Sequence, residues 1–478
     1  MKAYINKLKQ WQLLLVLAVV QIGSHLPYLK LPAVGNHVWR QCNTLAVARN
    51  YFQEDMNILY PRIDKRYHSN GITGPQFTSY DYTLAVVYKI FGFSQNVHRY
   101  LSLFIGIMAI WGMYLLIQAY FKQQFLSFVG AFAMIGIPEF YYHSINAVPD
   151  LLALAAMIWG WLYYLRFIQK SNFINVFLTV FCLSIAGMTK IMYLMPGFLF
   201  MGDIWVNQRY RSLKFWIIVA MGTVVLTLSL GWYYWAKILT SMNGIYEFVH
   251  EVRFIPGWMP KITAFFANLL SDVPETWVGY GFLGMFVVGI VTLFKAKILD
   301  IRVLLLFFGI LSFYAAMQYQ LRVHGYYTLL FQPFILLLGI WGWNKMKESQ
   351  LKQILMVLVL LSPIWAWARM NRNWQPNNWR VSHALIDHQD KVKELTSKRK
   401  FWIVGVDQSG CVDFYYLNAK GFPWYNLKEK SDLFDKFRRE GAEGLITNDT
   451  FHAQAYFKEL NWSPKCIGNV GEYHWYVF

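Results

Sequence analysis

The sequence predicts an all-α polytopic membrane domain followed by a small α/β domain. Of the 478 residues, 56% are hydrophobic and only 15% are charged, whereas about a quarter of the residues of a soluble protein are charged. Apolar runs, such as those at 11–22, 101–120, 215–235 and 303–316, recur along the chain between short basic clusters. Beyond Trp367 the hydropathy falls, and residues 369–478 have the composition of a soluble domain.

The membrane domain is predicted to cover residues 1–368. About eleven apolar segments approach the roughly 20 residues that a helix needs to cross a bilayer. A polar loop at 30–82 follows the first of these segments. Because ordering such a long loop costs conformational entropy, its presence favours a functional role.

The basic residues predict the orientation of the chain. The formal net charge is +18, but lysine and arginine lie in short clusters between the spans, which argues against nucleic acid as a partner. If the amino terminus is cytoplasmic, alternation places these clusters in the cytoplasm, as the positive-inside rule requires. The loop at 30–82 and the C-terminal domain then face outward.

Other segments on the outward side also carry polar or ionisable residues, at 141–150, 189–190, 237–277 and 318–327. This arrangement places many polar and ionisable residues on one face of the membrane. A transporter would instead show ionisable residues near the middle of the bilayer and interrupted helices repeated in two halves. The sequence shows neither pattern, so a transporter is disfavoured.

The C-terminal domain, residues 369–478, is predicted to alternate strands and helices. Strand-like runs occur at 401–406 and 444–447, helix-like stretches at 431–440 and 451–460, and an aromatic run at 473–478. This alternation is typical of a small α/β layer structure. Cys411 and Cys466 lie in this domain and would pair only in an oxidising compartment and at a suitable separation.

Several short motifs occur in a specific order along the chain. They are Trp39-Arg40-Gln41, Ala48-Arg49-Asn50, Tyr60-Pro61-Arg62-Ile63-Asp64, Gly74 with Phe77, Pro149-Asp150, Gly187-Met-Thr-Lys190, His324-x-Tyr326-Tyr327 with Pro333, and Tyr415-Tyr416-Leu417-Asn418 with Lys420-Gly421. As an ordered set they resemble the GT-C superfamily of integral membrane glycosyltransferases, in the branch of the protein O-mannosyltransferases and lipid A aminoarabinose transferases. The resemblance is strongest to bacterial members with a Trp-Arg-Gln-Ala-Asp-Thr motif after the first span.

The chain departs from this family pattern at two positions. Cys42-Asn43-Thr44 stands where the motif has an acid, and Gln76 stands where a glutamate commonly precedes phenylalanine. Both replacements keep the shape of the side chain and remove its charge. GT-C enzymes usually take their catalytic carboxylate from the first outward loop, so the base must come from another residue if the chain is active.

The resemblance implies transfer of a sugar from a polyprenyl-phosphate donor to an acceptor at the outer face of the membrane. A carboxylate would deprotonate an acceptor hydroxyl, which attacks the anomeric carbon and inverts it. Because the phosphate is already a good leaving group, cations and hydrogen-bond donors suffice to hold it, and no metal or other cofactor is required. The implied location is the bacterial inner membrane, with a periplasmic C-terminal domain.

Three carboxylates are candidates for the base: Asp64 first, then Asp81 and Asp150. The alternative for Asp64 is an ion pair with Lys65 or Arg66. Asp150 follows Pro149 at the start of a span, where it would equally cap the helix and complement its dipole. Asn43 cannot act as a base, but Asn43 and Gln76 remain candidates for hydrogen bonding to sugar or acceptor.

The candidate phosphate ligands are Arg40, Lys190, Arg322 and His324, because all would lie near one membrane interface. Each would alternatively extend to ordinary lipid headgroups. Lys190 is the strongest, since an unpaired ammonium between two apolar runs would be costly. The aromatic residues Trp39, Tyr326 and Tyr327 are candidates for stacking on sugar or lining a prenyl groove, and the alternative is an interfacial aromatic belt. Histidine spacing does not predict a metal site.

The leading hypothesis is therefore a glycosyltransferase that uses a polyprenyl-phosphate sugar and modifies a glycan, lipid or protein. The alternative is a catalytically silent GT-C relative that binds lipid-linked glycan or serves as a subunit of a membrane complex. Loss of the two loop acids favours the alternative, whereas the retained cations and aromatic residues favour the enzyme.

Overall fold

A computed structural model describes residues 2–206, 212–243, 263, 266–296, 301–405, 410–424 and 432–478. The described helices are α1 (Lys2–Ile5), α2 (Gln10–His25), α3 (Val38–Gln53), α4 (Ser79–Phe91), α5 (Val97–Phe121), α6 (Gln124–Ile135), α7 (Pro138–His143), α8 (Pro149–Gln169), α9 (Phe173–Thr189), α10 (Pro196–Val206), α11 (Leu213–Asn243), α12 (Tyr280–Lys295), α13 (Ile301–Val323), α14 (Gln332–Lys345), α15 (Gln350–Met370), α16 (His383–Asp387), α17 (Gln389–Thr396), α18 (Cys411–Tyr416), α19 (Asp432–Arg439) and α20 (Thr450–Glu459). The strands are β1 (Trp402–Gly405), β2 (Gly421–Trp424), β3 (Gly444–Thr447), β4 (Lys465–Val470) and β5 (Tyr473–Val477). A π-helix (Asn268–Trp277) precedes α12, and short 3₁₀ helices (Ile191–Leu194, Gly325–Phe331) follow α9 and α13.

The predicted fold class, a polytopic helical membrane protein with a small C-terminal α/β segment, is confirmed. Six of the described helical segments are long and apolar enough to span a membrane, or seven if the bent pair Leu269–Trp277 and Tyr280–Lys295 forms one span. The sequence predicted about eleven. The count is lower because four further apolar helical segments have only 10–17 residues. Most of the predicted outward segment at 237–277 lies outside the described residues.

The chain divides into two compact units. The helical unit comprises residues 1–30, 99–233 and 251–372, and the mixed unit comprises 31–98, 234–250 and 373–478. The mixed unit therefore contains both the polar loop that follows the first span and the C-terminal segment. The division at residue 368 that the sequence suggested stays a prediction.

In the helical unit, α8 and α9 form an antiparallel hairpin that positions the candidate site. Pro149 occupies the first position of α8, where its fixed φ angle suits a helix start. The Asn172 side chain accepts a hydrogen bond from the backbone N–H of Ile174 and so caps the start of α9. Because only residues 170–172 connect the two helices, the first turn of α8 lies beside the last turn of α9.

The mixed unit contains a five-stranded sheet with the order β2-β1-β3-β5-β4. Strand β1 pairs in parallel with β2 and β3, whereas β5 is antiparallel to both β3 and β4. All four residues of β1, of β2 and of β3 are buried. Such short, continuously buried runs are typical of parallel strands that are covered on both faces.

The predicted elements of this segment are confirmed where the structure describes them. Strands β1 and β3 and helix α19 lie within the predicted stretches, whose ends at 406 and 431 lie outside the described residues, and α20 begins one residue before the predicted 451–460. The aromatic run at 473–478, for which no element type was predicted, contains β5. Strands β2 and β4 and helices α16, α17 and α18 were missed. Pro423 explains the first omission, because proline removes a ladder donor and is tolerated in a strand mainly at a sheet edge, which is the position of β2.

Residues 64–67 of the polar loop pair with the outer side of β2. The backbone N–H of Gly421 donates to the carbonyl of Asp64 at 3.1 Å, and the N–H groups of Arg66 and Tyr67 donate to the carbonyl of Gly421 at 3.1 and 2.9 Å. The ring of Tyr67 packs edge-on against Phe422 at 5.7 Å. This segment therefore supplies partners for an otherwise open strand edge.

Candidate functional site

In the helical unit, Lys190 and Asp150 form a buried ion pair. Asp150 lies in the first turn of α8, and Lys190 directly follows the last residue of α9. The Lys190 ammonium donates to Oδ1 of Asp150 at 2.6 Å, and Asp150 is fully buried. The hydroxyl of Tyr193 donates to the same oxygen at 3.3 Å. The helix hairpin thus brings together two residues that the sequence proposed separately.

Aromatic rings surround the ammonium group of Lys190. Its Nζ atom lies 3.8 Å from the ring centre of Tyr327 and 4.8 Å from that of Tyr326. A cation over an aromatic face is stabilised by the ring quadrupole. The pair and its rings make a polar centre in which a buried charge is compensated on several sides.

His324 belongs to the same cluster. Its ring stacks on Tyr326 at 5.5 Å and on Tyr327 at 6.0 Å. Arg322 is exposed in the last turn of α13, two residues before His324. The structure therefore groups Lys190, His324 and the two tyrosines, whereas no contact in the described part of the chain joins Arg322 to them.

His143 and Glu139, which the sequence did not single out as site residues, lie beside this cluster. His143 is buried, and its Nε2 atom lies 3.2 Å from a carboxylate oxygen of Glu139, while its ring contacts Tyr326 edge-on at 5.8 Å. Gly325 permits this packing, because a Cβ atom at that position would overlap the carboxylate of Glu139. The available signal was Pro138-Glu139 at the start of α7, which resembles Pro149-Asp150 at the start of α8.

In the mixed unit, Asp64 is held on both carboxylate oxygens. Arg49 donates to Oδ2 at 2.6 Å, and the side-chain amide of Asn50 donates to Oδ1 at 2.9 Å. Arg49 also donates to the carbonyl of Tyr415 at 2.9 Å. The alternative of an ion pair with a neighbouring cation is found only as a long contact, since Arg66 lies 3.9 Å from Asp64 and pairs mainly with Glu54, whereas Arg49 lies 2.6 Å from Asp64.

Glu54 forms a second charge network, at the surface of the mixed unit, that the sequence did not suggest. Arg66 donates to its two carboxylate oxygens at 3.0 Å each, and Lys420 donates to one of them. Burial alone would raise the pKa of Glu54, but the hydrogen bonds from Arg66 and Lys420 outweigh it and hold the pKa below its usual value. This network ties the polar loop to residues beside β2.

Asn43 and Asp64 line one small recess of the mixed unit, together with Lys65, Cys411 and Phe414. Asn43 is 6% exposed and Asp64 is 3% exposed. The neutral residue in the family's acidic position therefore lies near a carboxylate from elsewhere in the loop. Cys411 and Cys466 are not joined by a disulfide.

Asp81, in the first turn of α4, has a different environment from Asp64. Burial raises the pKa of its carboxyl to about 7, although the charge of Arg40 lowers it in part. Its Oδ2 atom has no hydrogen-bond partner among the described residues, and neither does the side-chain nitrogen of the buried Gln76. Trp39 and Arg40 lie half-buried at the start of α3.

The described side chains contain no group of three His, Cys, Asp or Glu residues arranged to hold a metal ion. What they contain is an ammonium cluster in the helical unit and the three candidate carboxylates, all buried, of which Asp64 and Asp150 are ion-paired. The chemistry available from these groups is binding of an anion and transfer of a proton.

Comparison with known proteins gives a family model and several structures. Residues 78–235 match the family model of dolichyl-phosphate-mannose-protein mannosyltransferases. No curated protein shows significant sequence similarity to the chain. The match to the family model covers about a third of the 478 residues.

Solved structures share the fold over nearly the whole chain. ArnT from Cupriavidus metallidurans, solved with bound undecaprenyl phosphate, is 11% identical with a TM-score of 0.66 and covers 98% of each chain. The apo form of ArnT is 12% identical with a TM-score of 0.66 and covers 97% of each chain. The archaeal oligosaccharyltransferase AglB from Archaeoglobus fulgidus, solved with an inhibitory peptide and a dolichol-phosphate, is 11% identical with a TM-score of 0.57, over 95% of this chain and 71% of AglB.

Proposed function

We propose that this chain, which has the GT-C fold, is a glycosyltransferase that moves a sugar from a polyprenyl-phosphate donor to a glycan, lipid or protein acceptor. The observation that carries the proposal is the buried Lys190 ammonium, enclosed by Asp150, Tyr326 and Tyr327 in the helical unit of a membrane protein. ArnT and AglB, which share the fold, were solved with polyprenyl phosphates bound. The proposed location is the bacterial inner membrane, with the acceptor reached from the periplasm.

Lys190 is proposed to bind the donor phosphate. A buried ammonium is costly unless it is paired, and a phosphate is a stronger partner than a single carboxylate because it offers more charge and more acceptor oxygens. Asp150 then keeps the ammonium compensated when no donor is bound. The faces of Tyr326 and Tyr327 suit the apolar isoprenoid or the sugar ring, and His324 adds a donor beside them.

The base that deprotonates the acceptor hydroxyl is proposed to be Asp81. A pKa of about 7 is close to the optimum for general base catalysis at neutral pH. Asp64 and Asp150 remain candidates, but each already neutralises a cation. The proposed inversion at the anomeric carbon needs no metal, since the departing phosphate requires only cations and hydrogen-bond donors.

A second candidate function is supported by the surroundings of Asp64. Both of its carboxylate oxygens are occupied by Arg49 and Asn50, as expected of a structural ion pair. Asn43, close by in the same recess, carries no charge. A chain whose loop acids are neutral or ion-paired would bind lipid-linked glycan without transferring it, alone or as a subunit of a membrane complex.

The decisive experiment measures binding of undecaprenyl phosphate to the purified full-length chain by native mass spectrometry. Lys190→Met should weaken binding about tenfold or more, because a charge-assisted hydrogen bond to phosphate is lost. Lys352→Met is the matched control, since Lys352 is also nearly buried, 3.0 Å from a carboxylate oxygen of Glu348 and 4.9 Å from the Trp343 ring. Equal affinity of the Lys190 variant and the unmodified chain would remove Lys190 from the donor site.

The same preparations, supplied with a labelled polyprenyl-phosphate sugar, separate the two functions. Transfer by the unmodified chain supports the enzyme. Donor binding without transfer, together with transfer by Asn43→Asp, would favour the silent binder.

A further inference from the structure

The C-terminal part of the mixed unit contains a second cavity, of about 290 Å³, among residues 380–473. Gly405, the last residue of β1, and Asn448, the residue directly after β3, lie in its wall. Val412 and Asp413 of α18 close one side, and the β4–β5 turn closes another through Glu472. No residue of this cavity takes part in the charge clusters described above.

The strand connections explain why a cavity forms here. From β1 the chain passes through α18 to β2, toward one edge of the sheet. From β3 it passes through α20 to β4 and β5, toward the opposite edge. The chain therefore leaves the carboxyl ends of the neighbouring strands β1 and β3 in opposite directions. In open α/β sheets, this topological switch point is where ligands bind.

The lining of the cavity is polar and carries charges of both signs. Its polar side chains are Arg380, Ser382, Asp413, Asn448, Glu472 and Tyr473. One cation against two carboxylates does not suit a phosphate or another anion, and so many polar groups do not suit an apolar ligand. Carboxylates, an amide, hydroxyls and a guanidinium together provide both donors and acceptors, which is what a ligand with many hydroxyl groups requires.

The interior of the cavity is ordered, while its rim is open. Asp413 is 8% exposed and accepts a hydrogen bond from the Tyr473 hydroxyl at 3.0 Å, so its carboxylate is held in place. Arg380, Asn448 and Glu472 are exposed and accessible from solvent. A buried, oriented acceptor below an accessible polar rim is a preorganised site, which lowers the entropy lost on binding.

We propose that this cavity binds a saccharide, and that it holds the glycan part of the acceptor. The assignment of the saccharide as an acceptor rests on the proposed transferase function, whereas saccharide binding by the cavity does not. Asp413 and Glu472 would accept hydrogen bonds from sugar hydroxyls, and Asn448 and Arg380 would donate to ring and hydroxyl oxygens. Tyr473 is 6% exposed, and its role in the site would be to orient the Asp413 carboxylate through its hydroxyl.

The test uses the purified full-length chain in detergent on an array of immobilised neutral, N-acetylated and uronic-acid oligosaccharides, without any polyprenyl-phosphate donor. The best-bound oligosaccharide is then titrated in solution. Asp413→Asn should weaken its binding about tenfold or more, and Asn448→Ala about fivefold. Asn448 is exposed, so this variant keeps the test valid if Asp413→Asn fails to fold.

Glu394→Gln is the matched control, because Glu394 is an exposed carboxylate on α17 outside the cavity. Its affinity for the oligosaccharide should equal that of the unmodified chain. Absence of saccharide binding by the unmodified chain, or unchanged affinity in Asn448→Ala, would overturn the proposal. Since no donor is present, this result is independent of donor binding and sugar transfer, so failure of the cavity and failure of the proposed transferase are distinguishable.

Discussion

At the scale of single residues, three buried carboxylates differ because their neighbours differ. Asp64 and Asp150 each lie 2.6 Å from a cationic nitrogen, of Arg49 and Lys190 respectively. Asp81 is equally buried, but Arg40 compensates only part of the desolvation cost, and burial raises its pKa to about 7. The desolvation cost of Asp81 therefore appears in its pKa, because no cation contacts this carboxylate as Arg49 and Lys190 contact the other two.

The raised pKa of Asp81 predicts a pH-dependent stability. Because the folded-state pKa of about 7 exceeds the usual value of 3.8, the folded protein holds a proton that the unfolded chain releases between these values. The contribution of this group to stability therefore falls as the pH rises from about 4 to about 7 and stays constant above 7. Asp81→Asn removes the cost and should raise the thermal unfolding midpoint by about 2–4 °C at pH 8 but not at pH 4. Asp55→Asn, at an exposed carboxylate, is the control.

The same variant tests the proposed base. In the unmodified chain, transfer should increase about tenfold per pH unit below 7 and level off above it, as the carboxylate becomes ionised. Asp81→Asn should lose about a hundredfold or more of the transfer rate. A variant that keeps both the rate and the pH profile would contradict the role of Asp81 and return attention to Asp64.

At the scale of elements, Gly421 is the point where β1, β2 and the polar loop meet. Its φ angle of 139° lies in a region that L-residues rarely adopt, and a Cβ atom there would lie 2.8 Å from the backbone nitrogen of Trp402. The absence of a side chain lets the backbone pair with β1 on one side and with residues 64–67 on the other. Only glycine satisfies both requirements without strain.

Gly421→Ala should therefore destabilise the protein by about 1–3 kcal/mol, the usual cost of forcing extra volume into a packed site. The expected readout is a lower thermal midpoint in differential scanning fluorimetry. Gly222→Ala is the matched control, because a Cβ atom at this helical glycine meets open space. Equal midpoints for Gly421→Ala and the unmodified chain would contradict the importance of this close approach.

At the scale of the whole molecule, the distribution of charge predicts how the chain lies in the membrane. When the four shorter apolar helices are counted as spans together with the longer ones, alternation places the lysine and arginine clusters between them on one side. The proposed location of the C-terminal domain in the periplasm depends on this rule. The exposed thiol of Cys466, on β4, provides a natural probe of it.

In spheroplasts of bacteria that express the chain, a membrane-impermeant maleimide should label Cys466. Cys466→Ser should lose this label. By contrast, a cysteine introduced by Lys122→Cys, at an exposed position in a predicted cytoplasmic cluster, should react only after the membrane is permeabilised. The reverse pattern of labelling would invert the proposed topology.

Much of the architecture was predictable because its signals are local. Apolar runs indicate membrane helices, and alternating strand and helix patterns predicted β1, β3, α19 and α20. The positions at which the loop departs from the motif that it resembles, Asn43 and Gln76, could also be read directly from the sequence. Strand β2 could not be predicted from the local sequence, because Gly421 and Pro423 both disfavour a strand. Its pairing with the neighbouring strand β1 stabilises it in the fold.

The partners of the charged residues depended on tertiary structure. Asp150 and Lys190 are 40 positions apart and meet because an antiparallel hairpin brings the start of α8 to the end of α9. Asp64 contacts Arg49, 15 positions away, because the path of the loop returns it to α3. A sequence states which charges exist, but the energy of a buried charge depends on distances of a few ångströms across the fold. Hence residue types and element types were accessible from the chain alone, whereas ion pairing, the raised pKa of Asp81 and the cavity beside β1 and β3 required the folded arrangement.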